Sequence, residues 1–265
     1  MGIAAYNRGS DALKQFTFGS LFAGIGGLDL GLERAGMTCK WQVEINPFCQ
    51  RVLEKHWPGV KRYGDITKVD GRELQPVNLI AGGFPCTDIS DAGKRDGIHG
   101  AHSKLWFEML RVICMVRPNF VLVENVAALL DRGLCTVLAG LAESGFDAEW
   151  DCIPASALGA HHQRDRTFIV AYPQGRTKFY GIFRKGNIYS NGQTPLWPGF
   201  DCVMPRMADG ISYRVDRRRA LGNAVVPQVA EWIGQCILSM GVEIPQTTKG
   251  EPDEGDNLFS TLKSE

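Results

Sequence analysis

Apolar residues in this chain fall mostly into short, nearly continuous runs. FTFGSLFAGIGGLDLG (16–31) reads as an apolar strand, a glycine-rich turn and the start of a helix. CKWQVEI (39–45) predicts a second strand, with a helix following it through about His56. NLIAGG (78–83) predicts a third strand, NFVLVENV (119–126) a fourth and TFIVAY (167–172) a fifth. Segments with helical spacing separate these runs, most clearly SKLWFEMLRVICMV at 103–116. Strands buried on both faces are continuous in Val, Ile and Leu, and their alternation with helices implies parallel pairing. The expected fold is α/β: a doubly wound, mostly parallel, Rossmann-like sheet.

The pattern stops after Tyr172. Residues 173–218 are rich in Gly, Pro, Arg and Asn and show no sustained period. Helical spacing resumes over Val226–Met240, with Pro227 near the first turn. From Pro245 onward the chain is polar and acidic, which predicts disorder. The expected organisation is one domain built from 16–172 and 219–240, an irregular region at 173–218, and flexible termini at 1–15 and 245–265.

Composition narrows the partners. The chain has 29 basic and 29 acidic side chains, which argues against a histone-like, charge-driven nucleic-acid binder but leaves room for a local basic groove. Basic residues do gather locally, at Arg164 and Arg166, then Arg176, Lys178, Arg184 and Lys185, then Arg214, Arg217, Arg218 and Arg219. The eight cysteines are scattered with no CxxC pair, so neither a metal site nor a disulfide framework is indicated. No signal pattern opens the chain, and no apolar run approaches the roughly 20 residues that cross a bilayer. A cytoplasmic protein without a membrane partner is the simplest expectation.

Five places carry candidate chemistry. The turn FAGIGG (22–27) lets a ligand approach the backbone and offers it a helix N-terminus. Its spacing is GxGG, not the GxGxxG of a dinucleotide fold, which sets aside a nicotinamide-dependent oxidoreductase. Glu44 lies about 20 residues beyond that turn, where such folds place a carboxylate on ribose; an ordinary surface acid fits equally well. GGFPCTDIS (82–90) presents Cys86 on a stiff loop at the end of a strand, either as a nucleophile or as one more structural cysteine. Glu124 and Asn125 close an otherwise apolar strand, where partial burial would raise a carboxyl pKa and make it a proton donor. Arg164 and Arg166, two apart before the fifth strand, would point the same way in extended geometry and could face one ligand.

Taken in order, these motifs resemble the series found in the DNA (cytosine-5) methyltransferases. The series runs FAGIGG, Glu44, Gly64-Asp65-Ile66, Pro85-Cys86, Glu124-Asn125-Val126, Arg164-x-Arg166 and Gly222-Asn223-Ala224-Val225-Val226-Pro227. The resemblance implies S-adenosylmethionine as cofactor, double-stranded DNA as partner and a monomer of compact phage or prophage type, in the style of restriction-modification enzymes. It implies Cys86 as the nucleophile toward C6 of a flipped cytosine, Glu124 at N3 and the amino group, Arg166 at O2, and Arg164 supporting the loop or a phosphate. It places Phe22, Gly24, Ile25 and Gly26 at the methionine part of the cofactor, Glu44 at the ribose, Asp65 and Ile66 at the adenine, and Asn223 and Ala224 across the pocket from the C-terminal side. Two departures stand out. His162-Gln163 replaces the family's usual Gln-Arg, and only residues 173–218 are left for target recognition. A tRNA cytosine-5 methylase, or a non-catalytic relative that only binds cofactor or DNA, are the alternatives these motifs leave open.

Overall fold

The computed structural model describes residues 15–85, 104–176, 181–185 and 214–240. Cys86, nearly all of both termini and most of 173–218 lie outside that set.

Seven strands form one sheet in the order β3-β2-β1-β4-β5-β7-β6. They are β1 (Thr17–Leu21), β2 (Thr38–Val43), β3 (Lys61–Tyr63), β4 (Leu79–Gly82), β5 (Phe120–Val126), β6 (Phe146–Pro154) and β7 (Asp165–Pro173). The first five pair in parallel, while β7 runs antiparallel to both β5 and β6. The five predicted strands are all present, and the sheet is mostly parallel as expected. Two strands escaped the apolar pattern. β3 has only three residues, none of them buried, and β6 is mostly exposed or half-buried along its length. An edge strand of that kind has no continuous apolar run to betray it.

Helices cover both faces. On one side α3 (Leu105–Val116), α4 (Leu129–Arg132) and α5 (Leu134–Glu143) pack with Trp106, Met109, Ile113, Val137 and Leu141 fully buried against the sheet. On the other, α1 (Gly27–Arg34) and α8 (Pro227–Ser239) bury Leu28, Leu32, Val229, Ile233 and Ile237. α2 (Pro47–His56) starts at Asn46, whose side chain accepts from Phe48 N and Cys49 N, with Pro47 pre-set in the first turn.

The α1–α8 contact is close because three glycines allow it. A Cβ on Gly27 would collide with the Val225 carbonyl, and one on Gly31 with the Pro227 carbonyl and Ala230; Gly234 makes the reciprocal approach to Ala35. The C-terminal helix is therefore locked beside the first one, although nearly two hundred residues of chain separate them.

Two elements differ from the sequence expectation after Tyr172. Helix α6 (Ile182–Lys185) inserts Ile182, 1% exposed, into the core beneath the sheet, and its Phe183 ring stacks on Trp232 of α8 with a centroid separation of 6.4 Å. Glu149 of β6 holds it there, accepting from the backbone N–H of Gly181 and Ile182 and from the Tyr172 hydroxyl. Helix α7 (Arg214–Asn223) begins inside the region expected to be irregular and runs into the Gly222-Asn223 motif. Gly222 and Asn223 are its last residues, and the turn itself is Ala224–Val226. With four arginines and no apolar stripe, α7 offers no amphipathic period to read. No helix among the described residues is long and apolar enough to cross a membrane.

Candidate active site

Strand order reverses direction between β1 and β4, and in open α/β sheets ligands bind outside the C-terminal ends of the strands at such a point. The glycine turn follows β1 and the Phe84-Pro85 loop follows β4, so both motifs open onto the same crevice.

The turn is tightly wound. Phe22, Gly24 and Gly26 all have left-handed backbones, at φ 54°, 57° and 84°. Gly26 cannot be replaced without striking the Trp57 ring, whereas a Cβ on Gly24 would meet nothing within 4 Å. Gly24 therefore borders open space. A left-handed Phe22 is strained, and strain of that kind collects at ligand sites. Glu44 sits one residue beyond β2. Its carboxylate accepts from Gly24 N at 2.7 Å and from Asn46 N at 2.7 Å, joining the glycine turn to the start of α2. Asp65 caps the short turn Ile66–Lys68 through Thr67 N, and Ile66 is buried. Arg111 of α3 fixes the same turn by donating to the carbonyls of Ile66 and Val69.

Below α1 lies a polar cluster that the motif reading did not single out. Asp29, fully buried, accepts from Ser20 Oγ at 3.0 Å and Gln42 Nε2 at 2.8 Å, tying the first turn of α1 to β1 and β2. Burial pushes its carboxyl up to about 6 against the pull of those hydrogen bonds. The only sequence signal was a charge on the apolar side of a helix start.

Glu124, near the end of β5, is only 8% exposed, and Asn125 beside it is buried as well. Desolvation raises its pKa to about 7, although the neighbouring Arg166 and Arg164 charges pull it down. Arg166 Nε lies 3.0 Å from Glu124 Oε1. This pair exists because β7 runs antiparallel: its first residues come to the edge where the parallel strands end, with Arg166 paired to Val126. The other carboxylate oxygen faces Gly83, where an added Cβ would fall 2.5 Å from Oε2. Asn125 adds a tie to the same loop, its Nδ2 donating to the Phe84 carbonyl at 3.2 Å. Phe84 in turn packs on Trp106. The segment leading to Cys86 is thus pressed against Glu124, and Cys86 itself lies outside the described residues.

Arg164 and Arg166 border one small pocket but take different partners, and the extended geometry expected from their spacing does not hold at Arg164. Arg164 precedes β7 and is left-handed at φ 44°, so extended-chain alternation does not apply to it. Its Nη2 donates to the Gly222 carbonyl at 2.7 Å and to the Ala224 carbonyl at 2.6 Å. Asn223 is exposed and Ala224 half-buried in that same turn. Among the described cysteines, burial pushes Cys39, Cys49 and Cys236 up, the last two to about 11, which leaves them poor nucleophiles at neutral pH.

The family model for C-5 cytosine-specific DNA methylase matches residues 16–195. The chain belongs to that family. Among curated proteins, this methylase-family chain is 37% identical over 160 residues to the Type II methyltransferase M2.BsuMI of Bacillus subtilis, covering 57% of the chain and 41% of the relative. It is 33% identical over 169 residues to the Type II methyltransferase M.DsaV of Dactylococcopsis salina, covering 62% and 48%. Each match spans less than half of the relative's length. The solved structure of the Entamoeba histolytica methyltransferase EhMeth superposes with a TM-score of 0.61 at 14% identity, covering 85% of this chain and 98% of that one. At that identity the likeness concerns the fold, which is Rossmann-like in both.

Proposed function

We propose that the chain transfers a methyl group from S-adenosylmethionine to C5 of cytosine in double-stranded DNA, through a covalent bond between Cys86 and C6 of a flipped base. The observation that carries this reading is the buried Glu124–Arg166 pair, set against the loop that leads into Cys86 at the switch point of the sheet. The family match and the Type II methyltransferase relatives support it.

The residues around the glycine turn fit the cofactor. Gly24 borders open space, a strained Phe22 shapes the turn, and the Glu44 carboxylate already reaches into it. Phe22, Gly24, Ile25 and Gly26 would hold the methionine part, Glu44 the ribose hydroxyls, and Asp65 and Ile66 the adenine, with Asn223 and Ala224 across from them. When bound, the cofactor supplies an electrophilic methyl on a sulfonium sulfur.

The chain's own residues prepare the base. Extraction of cytosine from the stack is required because C5 and C6 are inaccessible within a duplex. The Cys86 thiolate adds to C6, and the ring electrons displaced by that bond make C5 nucleophilic. Glu124, protonated near neutrality, donates to N3 and accepts from the exocyclic amine, stabilising charge that builds on the ring. Arg166, held by Glu124, donates to O2. After methylation C5 gives its proton to water, the C5–C6 double bond re-forms, and Cys86 leaves as the thiolate.

The test is transfer of labelled methyl to mixed-sequence duplex DNA, with nuclease digestion to identify the product and Cys86→Ala as the partner measurement. Labelled 5-methylcytosine that disappears in the variant is the expected result. Label appearing on tRNA and not on DNA would move the reading to RNA. Equal labelling by both proteins would remove Cys86 from the mechanism.

A further inference from the structure

The geometry points to Arg164 as a positioning residue for the cofactor pocket: its guanidinium clasps the turn that joins α7 to α8, while Arg166 alone serves the base. The two arginines stand two apart in the chain, yet their side chains bind different groups.

The clasp ties the residue before β7 to the turn between α7 and α8. One guanidinium nitrogen donates to two backbone carbonyls, Gly222 at 2.7 Å and Ala224 at 2.6 Å, across 58 and 60 positions of chain. Gly222 lies in the last turn of α7, where helix carbonyls lack amide partners and the helix dipole is negative; a cation there satisfies both needs. Ala224 leads directly into Val225, whose carbonyl rests on Gly27 at the start of α1, and into Pro227, whose carbonyl rests on Gly31. A chain of contacts therefore runs from Arg164, through Ala224 and Val225, to the glycine turn of residues 22–27. Loss of the clasp loosens the turn that packs on that motif.

Arg164 also holds an unusual backbone. At φ 44° a residue with a side chain is disfavoured, and only a gain elsewhere maintains it. Here the left-handed kink takes Arg164 out of the alternation of β7, and its guanidinium reaches the α7–α8 turn while Arg166 pairs with Glu124. Ile153, Ala155, Phe168, Val226 and Val229 line the small pocket that Arg164 and Arg166 both border, so its lining is apolar apart from the two arginines.

This inference rests on the proposed reading only for its effect on cofactor; the clasp itself is tested separately. Arg164→Gly removes the guanidinium and at the same time relieves the left-handed backbone, so the variant folds where an alanine could strain. Arg164→Lys keeps the charge and a donor. Hydrogen exchange at the amides of 224–230 is expected to accelerate at least ~10-fold in Arg164→Gly, with partial recovery in Arg164→Lys. Affinity for S-adenosylhomocysteine, read by titration calorimetry, is expected to fall by about the same factor. In turnover, KM for the cofactor rises by a larger factor than kcat at saturating cofactor falls, and KM for DNA stays close to wild type.

The opposite result is equally plain. If Arg164→Gly leaves exchange at 224–230 and cofactor affinity unchanged, and instead weakens DNA binding with a salt dependence shallower by about one unit, Arg164 is a phosphate contact and the clasp is wrong. Failure of the wild-type protein to bind cofactor at all would count against the proposed function, and the exchange measurement would still decide the clasp.

Discussion

At Glu124 two forces oppose each other. Burial at the end of β5 favours the neutral acid, and the Arg166 charge 3.0 Å away favours the carboxylate; desolvation prevails and the pKa stands at about 7. This has a consequence for rate and one for stability. If the acid form works on the ring, kcat/KM falls as pH rises above about 7, and Glu124→Gln lowers it by ~10²–10³-fold while flattening that alkaline limb. Retained activity with an unchanged limb would exclude Glu124 from the chemistry. For stability the folded value lies above the ordinary 4.5, so the contribution is fully present below pH 4.5 and is lost as pH rises through about 7. Asp29 acts with the same sign, from 3.8 to about 6. The melting temperature is expected to drop between pH 5 and pH 8, and the drop should be smaller in Glu124→Gln, with Asp29 responsible for part of what remains. A wild-type curve flat over that range would contradict both assignments.

Elements meet here on glycines. Gly31 sits mid-helix in α1, where glycine costs about 1 kcal/mol relative to alanine, so its presence calls for a packing reason. The reason is α8: a methyl group would overlap the Pro227 carbonyl and come within 2.5 Å of Ala230 Cβ, and backbone cannot yield as a side-chain tip would. Gly31→Ala is therefore expected to lower the unfolding free energy by ~1–3 kcal/mol, despite its better helix propensity. Gly24→Ala differs in kind, because its site is open and only its left-handed backbone resists, at a cost of ~1–2 kcal/mol. Denaturant titration of the two variants separates these causes, since a Gly31→Ala protein as stable as wild type would mean α8 is not locked on α1. The elements were legible where the physics is one-dimensional. β1, β2, β4, β5 and β7 are buried on both faces and announce themselves as apolar runs, as does the amphipathic α3. β6, α6 and α7 were not, because their place is set by contacts such as Glu149 with Gly181 and Arg164 with Gly222, between residues far apart in the chain.

For the molecule as a whole, the two ends of the domain meet beside the glycine turn. Phe22–Gly27 from the first strand's turn and Ala224–Val226 from the last helix's approach lie against each other through Gly27 and Val225. A ligand bound there selects the folded state. At 100 times its Kd, S-adenosylhomocysteine should add ~2.7 kcal/mol of stability. For a domain of this size that is a rise of about 5–10 °C in Tm, readable by scanning fluorimetry. No rise at any cofactor concentration would mean that the crevice at the β1–β4 switch point is not the cofactor site.

The sequence by itself determined the α/β class, the order of the buried strands and the motifs that border the crevice. These depend on hydrophobic period and on residue types at short spacing, which the chain carries locally. Tertiary structure alone decided which way β7 runs, and so that Arg166 reaches Glu124. It alone decided that Glu124 is dry enough to hold a proton near neutrality, since burial is a property of neighbours and not of the residue. It also gave Arg164 and Arg166 different partners: a single left-handed residue, invisible in the letters, sets the Arg164 guanidinium against the carbonyls of Gly222 and Ala224, while Arg166 pairs with Glu124.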